Sequence, residues 1–302
     1  MKTRLEELLK GIGIGIANII PGFSGGTMAV VFGLYEKLIY AFSHFFETPV
    51  KIVKELWAVI LGVAVGILIA VFGITLLLDL FPVPTILFFA GLIIGSIPKI
   101  QERANLLSEE KAPKIGLFVG MMLLIGLTFL KTAESNQIEI TTLFFIGLFF
   151  IGALGSASMV VPGVSGSLIF LVFGYYDYIL DLASTFIKGA ATFDFQVLWS
   201  TILPIVILGT GIVLGVVLIA KLIEKLILTH KTLIYGFITG LILASPLAMI
   251  INMQREYPTQ VSDASFLIWG VAGLMAVLGF IGATHLGRME EPEKIETLQE
   301  TL

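Results

Sequence analysis

Long apolar segments alternate along this chain with short stretches rich in charged and turn-forming residues. A helix needs about 20 mostly apolar residues to cross the hydrocarbon core of a bilayer. Six of the eight apolar segments are short enough for one crossing each, and the first and fifth are too long. In chain order, the segments cover residues 11–42, 55–80, 84–98, 114–131, 142–182, 197–221, 232–252 and 264–286. The pattern predicts an all-α polytopic membrane protein.

The two long segments each contain a Pro-Gly break, and the two breaks resemble each other. They read Asn18-Ile-Ile-Pro-Gly-Phe-Ser-Gly-Gly-Thr27 and Met159-Val-Val-Pro-Gly-Val-Ser-Gly-Ser-Leu168. At a shift of 141 residues, eight of the sixteen positions from Pro21 to Glu36 are identical. With a small gap, Gly91-Leu92-Ile93 matches Gly240-Leu241-Ile242. Chance similarity between glycine-rich helices is the alternative, but the identities favour a duplicated unit of one broken segment and three spans.

The lysine and arginine residues distinguish crossing segments from re-entrant ones, because these residues concentrate on the cytoplasmic side. If both broken segments crossed the bilayer, nine of the eighteen would lie on each side. If both are re-entrant, fifteen lie inside and only Lys131, Lys188 and Arg255 lie outside. We therefore expect two re-entrant helical hairpins, each followed by three transmembrane helices, with both termini cytoplasmic. An odd number of crossings in each half makes this an inverted repeat.

The expected organisation has four parts. They are an interfacial amphipathic helix (1–10, with Leu5, Leu8 and Leu9 facing lipid), repeat 1 (11–141), repeat 2 (142–286) and an acidic cytoplasmic tail (287–302). Hairpin 1 (11–45) enters from the cytoplasm, and hairpin 2 (142–182) enters from outside. Ten helical residues from Gly11 span about 15 Å, half of the hydrocarbon core, so the two tips should meet near the bilayer centre. Inverted repeats with broken helices at that depth are typical of secondary transporters.

Composition excludes several classes of protein. Hydrophobic residues make up 57% of the chain and charged residues 13%, and the mean hydropathy is +1.02. The chain contains no cysteine, so disulfides and thiolate metal sites are excluded. A net charge of −4 argues against nucleic acid as a partner. There is no phosphate-binding loop for ATP, and no cofactor or metal is expected.

The tips are the candidate binding region. Pro-Gly suits a helix break, and Ser24 or Ser165 is then well placed as the N-cap of the returning arm. Helix N-termini expose backbone N–H groups that bind anions, phosphate above all. The alternative is a packing kink whose glycines allow close helix contact. Asn18 is a further candidate, because an unpaired amide at membrane depth is costly.

Glu36 and Asp177 follow their tips by about 16 Å of helix, near the mouth of each hairpin. Ionisable groups in membrane segments usually mark transport paths, so both are candidates for coupling to H⁺ or Na⁺. The alternative is an interfacial carboxylate in headgroup water.

An enzyme is not expected. Gly22-Phe-Ser-Gly25 and Gly163-Val-Ser-Gly166 resemble the Gly-x-Ser-Gly of rhomboid-type proteases, whose nucleophilic serine needs a base in reach. The histidines, however, are at span ends or loops: His44, His230 and His285. An enzyme acting on lipid phosphate would need a base or metal cluster near the tips, and the sequence shows none.

The doubled motif, with Gly33-x-Tyr35-Glu36 after the first tip and Gly174 after the second, resembles the PopT family of undecaprenyl-phosphate (polyprenyl-phosphate) translocases. The resemblance covers nearly the whole chain. It implies a multi-pass protein of the prokaryotic cell membrane that returns the lipid carrier phosphate from the outer to the cytoplasmic leaflet. The runner-up function is an ion-coupled transporter of a small soluble anion. The other partners considered are membrane lipids and a second copy of the chain in a homo-oligomer. The sequence does not determine the oligomeric state.

By carry-over from that family, the substrate region consists of the two tips. Together with Asn18, it comprises Pro21, Gly22, Ser24, Gly25, Gly26 and Thr27 in hairpin 1 and Pro162, Gly163, Ser165, Gly166 and Ser167 in hairpin 2.

Overall fold

The computed structural model describes residues 2–18, 24–130 and 141–287, and within them the chain forms helices and turns without any strand. The helices of the first half are α1 (Lys2–Ala17), α2 (Gly25–Val31), α3 (Tyr35–Ser43), α4 (Pro49–Ile69), α5 (Thr75–Leu80), α6 (Pro82–Ala104) and α7 (Ala112–Thr128), with a π-helical turn at Ala70–Ile74. Those of the second half are α8 (Thr142–Val160), α9 (Gly166–Val172), α10 (Tyr176–Thr192), α11 (Phe195–Thr229), α12 (Lys231–Glu256), α13 (Pro258–Ser262) and α14 (Phe266–Gly287).

Five of the described helices are long and apolar enough to cross a membrane: α4, α8, α11, α12 and α14. Shorter apolar stretches lie in α6 (Pro82–Pro98) and α7 (Ala112–Thr128). The pair α9 and α10 would count as a sixth span, but it is bent by 115°. The prediction of an all-helical polytopic membrane protein is therefore confirmed.

The duplication is visible in the backbone of the returning arms. Helices α2 and α9 each have seven residues and end at a glycine in the left-handed region, Gly33 (φ 70°) and Gly174 (φ 77°). The following amides close the same hydrogen bond, Leu34 N to Ala29 O at 2.8 Å and Tyr175 N to Phe170 O at 2.9 Å. A glycine after the last helical turn adopts this conformation without a Cβ clash, which stops the helix. The aligned sequences therefore have the same local fold.

Glycines allow the first arm of each hairpin to pack directly on the span that follows the hairpin. Gly11 lies against Val59 of α4, and Gly15 lies one turn further along against Val63. In the second half, Gly211 of α11 lies against Phe149 of α8, and Gly215 lies against Ala153. Residue numbers increase together on both members of each pair, so α1 runs parallel to α4 and α8 runs parallel to α11. The chain between them must therefore return to the side from which it started.

Two further glycine contacts join the halves. Gly91 and Gly95 of α6 lie against Ala276 and Phe280 of α14, again in parallel. In the same way, α7 runs parallel to α12: Gly116 and Gly120 meet Leu233 and Phe237, and Gly236 and Gly240 meet Pro113 and Leu117. The third span of each half thus packs on the second span of the other half.

Three helices extend further than the sequence pattern predicted. No break separates an interfacial helix at residue 10 from hairpin 1, because α1 is continuous and Gly11 is packed against α4, although Leu5 and Leu9 are exposed as expected. The first arm of hairpin 2 has 19 residues, about 28 Å, and is not half-length. Helix α11 has 35 residues and continues through Glu224 to Thr229, because lysine and glutamate are good helix formers. Of the expected tail, residues 288–302 lie outside the described residues.

The contact between α8 and α11 can be tested with two glycines in one helix turn of α11. A Cβ at Gly211 would overlap the Phe149 carbonyl oxygen, whereas a Cβ at Gly209 would meet nothing within 4 Å. We expect Gly211→Ala to destabilise the protein by about 1–3 kcal/mol through overpacking. Gly209→Ala is the matched control and should be neutral or slightly stabilising. Thermal unfolding in detergent measures both, and equal melting temperatures would contradict the close packing.

Candidate functional site

The beginning of the returning arm of hairpin 1 contacts the tip of hairpin 2. The Gly163 amide donates a hydrogen bond of 2.7 Å to Oγ1 of Thr27, whose side chain is 0% exposed. A Cβ at Gly26 would lie 2.9 Å from the Met159 carbonyl oxygen and 3.1 Å from that of Val160, so α2 begins directly against the end of α8. Residues 136 positions apart in sequence therefore meet where the two broken segments turn.

Part of the first tip lies outside the described residues, namely 19–23 with the predicted site residues Pro21 and Gly22. The residues on either side of this gap make close contacts. The Asn18 side-chain amide donates to the Ile14 carbonyl oxygen at 3.0 Å. A Cβ at Gly25 would overlap the Asn18 side chain, so the two arms of hairpin 1 touch here. In hairpin 2, Gly166 lies in the same way against Met159, which is the residue equivalent to Asn18.

Ser24 caps the returning arm of hairpin 1, as predicted. It is buried and extended, and its Oγ accepts a 3.2 Å hydrogen bond from the Gly26 amide. Ser165 holds the same N-cap position in hairpin 2, but its side chain makes no capping bond. Its hydroxyl lies 2.7 Å from that of Ser167 instead. A pair of hydroxyls has two O–H groups and uses only one for the mutual bond, so this pair keeps donor capacity for a ligand.

The tip of hairpin 2 is packed on the spans of both halves. Pro162 and Gly163 are buried, and a Cβ at Gly163 would lie 2.9 Å from Oγ of Ser245 and 3.0 Å from Cδ2 of Leu124. Gly163 has φ +82°, which excludes a strain-free Cβ in any case. The amides of Gly163 and Gly26 already have protein partners in this structure. The sequence predicted that the tip amides as a group bind an anion. In this structure, the amides of Gly163 and Gly26 are not available for that role.

The two candidate carboxylates are in different environments. Glu36 is buried, with 4% of its surface exposed, and its Oε1 accepts a hydrogen bond from the Tyr235 hydroxyl of α12. Asp177 is exposed. The alignment that pairs Gly91 with Gly240 places Ile86 opposite Tyr235, so the first half lacks the equivalent partner for Asp177. The interfacial interpretation therefore does not fit Glu36, and the structure does not place Asp177 in a comparable site.

Tyr235 is a site residue that sequence reasoning missed. It lies 199 positions from Glu36 in the chain. The signal that could have found it is a polar residue where the other copy of the repeat has an apolar one. Within the described part of the chain, no cluster of three or more His, Asp or Glu side chains could hold a metal ion.

This combination defines a class: a polytopic helical membrane protein with a duplicated unit, in which two broken segments meet in the interior. Comparison with known proteins gives the family. Residues 14–203 and 191–295 match the VCA0040-like family, described as undecaprenyl phosphate translocase-like, and the chain belongs to this family. The resemblance inferred from the tip motifs is thus confirmed, and the family is one of transporters and not of enzymes.

Two relatives carry the same name. The polyprenyl-phosphate transporter of Staphylococcus aureus is 28% identical over 295 residues, which cover 94% of this chain and 96% of that protein. The polyprenyl-phosphate transporter of Vibrio cholerae is 28% identical over 255 residues, covering 80% and 76% respectively. No solved structure matches the chain.

The contact between the tips can be tested at Thr27. Thr27→Val keeps the volume of the side chain but leaves the buried Gly163 amide without its acceptor, which costs about 1–3 kcal/mol. We expect a lower melting temperature in detergent. Thr27→Ser keeps the hydroxyl and should retain most of the stability. Thr27→Val and Thr27→Ser proteins with indistinguishable melting curves would show that this hydrogen bond does not hold the tips together.

Proposed function

We propose that this protein transfers polyprenyl phosphate from the outer to the cytoplasmic leaflet of the cell membrane, so that the lipid carrier is used again. The observation that carries the proposal is the contact between the two broken segments at Thr27 and Gly163, beside the Ser165–Ser167 hydroxyl pair. Family membership and the names of both relatives support the substrate class.

In the proposed topology, the broken segments are re-entrant hairpins in an inverted repeat, with both termini cytoplasmic. The parallel packing of α1 with α4 and of α8 with α11 supports re-entry, since a segment that crossed once would be followed by an antiparallel span. Inversion follows from the contacts between the halves. Helix α7 is parallel to α12, and α6 and α7 are joined by a short connector that reverses the chain. Helix α6 is then antiparallel to α12, its counterpart in the second repeat.

The proposed depth of the tips is set by the lengths of the arms. The part of α1 after Gly11 is short enough to end near the bilayer centre. Helix α8 is about 28 Å long and reaches the same level if it begins outside the hydrocarbon core or crosses it at a tilt. Non-helical backbone at that depth must be buried in protein or line a watery cavity, and the packing of Gly163 against Ser245 and Leu124 meets the first condition.

The substrate explains why such a site is needed. A phosphate monoester carries about −1.5 to −2 charges near neutral pH. Moving a bare charge through hydrocarbon costs on the order of tens of kcal/mol. Hydroxyl donors at the junction of the hairpins replace part of the lost hydration, while the prenyl tail stays in lipid. The Ser165–Ser167 pair is the best-placed group of donors among the described tip residues.

The membrane potential opposes the proposed direction. An inside-negative potential costs about 2.3 kcal/mol per charge per 100 mV, so about 4–5 kcal/mol for two charges. Net inward transfer therefore needs a large lipid gradient or cations that move with the phosphate. We propose that H⁺ or Na⁺ accompanies the head group and that Glu36, which is buried and bonded to Tyr235, is the coupling carboxylate.

Transfer is tested with protein reconstituted into liposomes that carry labelled polyprenyl phosphate in one leaflet. The double variant Ser165→Ala, Ser167→Ala should slow protein-dependent transfer about tenfold or more, because each hydrogen bond to a charged group contributes about 1.5–3 kcal/mol. Ser200→Ala, on the exposed face of α11, is the control and should transfer at the wild-type rate. Wild-type transfer no faster than in empty liposomes, together with uptake of inorganic phosphate, would favour a transporter of a soluble anion.

Coupling is tested by neutralising each carboxylate separately. Glu36→Gln keeps an acceptor for the Tyr235 hydroxyl but cannot ionise, so net transfer against an inside-negative potential should fall about tenfold and lose its dependence on pH or Na⁺. Asp177→Asn should stay within about twofold of the wild type, since Asp177 is exposed. If Glu36→Gln transfers like the wild type with the same pH and Na⁺ dependence, Glu36 has no coupling role.

A further inference from the structure

Three titratable side chains lie along one face of hairpin 1. Glu36, Tyr40 and His44 are four residues apart, and this spacing puts side chains one above the other on a helix. The Tyr40 and His44 rings stack with their centroids 4.3 Å apart, and Nδ1 of His44 lies 3.1 Å from the Tyr40 carbonyl oxygen. The face begins at the buried Glu36 and ends where α3 meets the loop of residues 44–48.

A second buried carboxylate faces the far end of this row. Glu224 of α11 is only 6% exposed, and its Oε2 lies 3.8 Å from Nδ1 of His44. On the other side of the ring, Oε2 of Glu47 lies 3.8 Å from Nε2 of His44. Glu47 also pairs at 3.3 Å with Lys221, and both of these side chains are more than half exposed. His44 therefore stands between a buried carboxylate and groups in contact with water.

Other charged groups also lie close to α3. Lys37 follows Glu36 in sequence, and its Nζ is 2.9 Å from Oε1 of Glu7 on α1. Glu7 is also paired with Arg4 at 2.8 Å. From α4, the Glu55 carboxylate is close enough to act electrostatically on Tyr40, as are Glu47 and Glu224. Three carboxylates therefore act on the Tyr40 end of the row, from α4, from α11 and from the loop of residues 44–48.

We propose that Glu36, Tyr40, His44 and Glu224 form a proton relay between the coupling site and cytoplasmic water. The relay rests on the proposed function and names H⁺ as the ion that moves with the lipid phosphate. Four-residue spacing leaves the Cβ atoms of successive members about 5–6 Å apart, so their side chains are neighbours on one face. The proton leaves the Glu36 carboxyl group, passes Tyr40 and reaches His44, whose Nδ1 faces the Glu224 carboxylate. It then enters water from Nε2 of His44, and Glu36 is again a carboxylate.

Variants of a proton relay should affect net inward transfer but not one-for-one exchange of lipid. Variants of residues with a structural role should affect both reactions. One-for-one exchange of lipid between leaflets can proceed with Glu36 still protonated, whereas net inward transfer requires the proton to be released. Side chains on the release path therefore limit net transfer and leave exchange unaffected. Histidine is suited to this position, because an imidazole ring can accept a proton at one nitrogen and donate one from the other.

The test uses the full-length protein in liposomes with labelled polyprenyl phosphate and a pH-sensitive dye in the lumen. We expect Glu224→Gln and His44→Gln to lower net transfer and its accompanying proton release about tenfold or more, while exchange stays within about twofold. The pH profile of net transfer should also shift in both variants. His230→Gln and Glu110→Gln are matched controls at exposed positions and should behave like the wild type.

The outcomes separate the relay from the function on which it rests. Wild-type protein without any transfer would overturn the proposed function and the relay with it. Wild-type transfer without proton movement would overturn the relay but leave lipid transport in place. If the half-exposed His44→Gln variant loses exchange in parallel with net transfer, His44 and Glu224 have a structural role. An unchanged pH profile in Glu224→Gln would lead to the same conclusion.

Discussion

A helix that stops inside a membrane exposes backbone N–H and C=O groups that lipid cannot satisfy, and at the depth proposed for the two tips this constraint governs the interior of the protein. Among the described residues, polar groups of the protein itself pair with backbone groups at both breaks. Thr27 accepts from the Gly163 amide, Ser24 accepts from the Gly26 amide, and Asn18 donates to the end of α1. Because Thr27 belongs to one hairpin and Gly163 to the other, satisfying a break in one half requires the other half.

The two halves have the same backbone conformation at their returning arms but different polar side chains. Seven-residue returning arms ending at Gly33 and Gly174 are formed in the same way. The side chains differ at the positions that carry charge or hydrogen bonds. Leu168 stands where the first copy has Thr27, and Ile86 stands where the second copy has Tyr235. The hydroxyl groups proposed to bind phosphate, those of Ser165 and Ser167, therefore belong to hairpin 2. The buried carboxylate, Glu36, belongs to hairpin 1.

Sequence reasoning succeeded where the physics is local. The Ser24 cap and the repeat depend on a few neighbouring residues, and the glycine pattern was visible at a fixed shift. It failed where the decisive partner is distant. Tyr235 reaches Glu36 from another span, and Glu224 lies beyond the apolar segment that ends at residue 221 in the sequence pattern. The length of α8 was also missed, since its apolar composition fits a full span as well as a half one.

The exchange of third spans between the halves has a consequence for the history of the fold. Because α7 packs on α12 and α14 packs on α6 through glycines that admit no side chain, one unit by itself would leave these faces uncovered. In the proposed inverted topology, a single unit would cover them by pairing with an identical chain inserted in the opposite orientation. The duplicated gene is then best understood as the fusion of two such oppositely oriented partners, after which each copy was free to specialise.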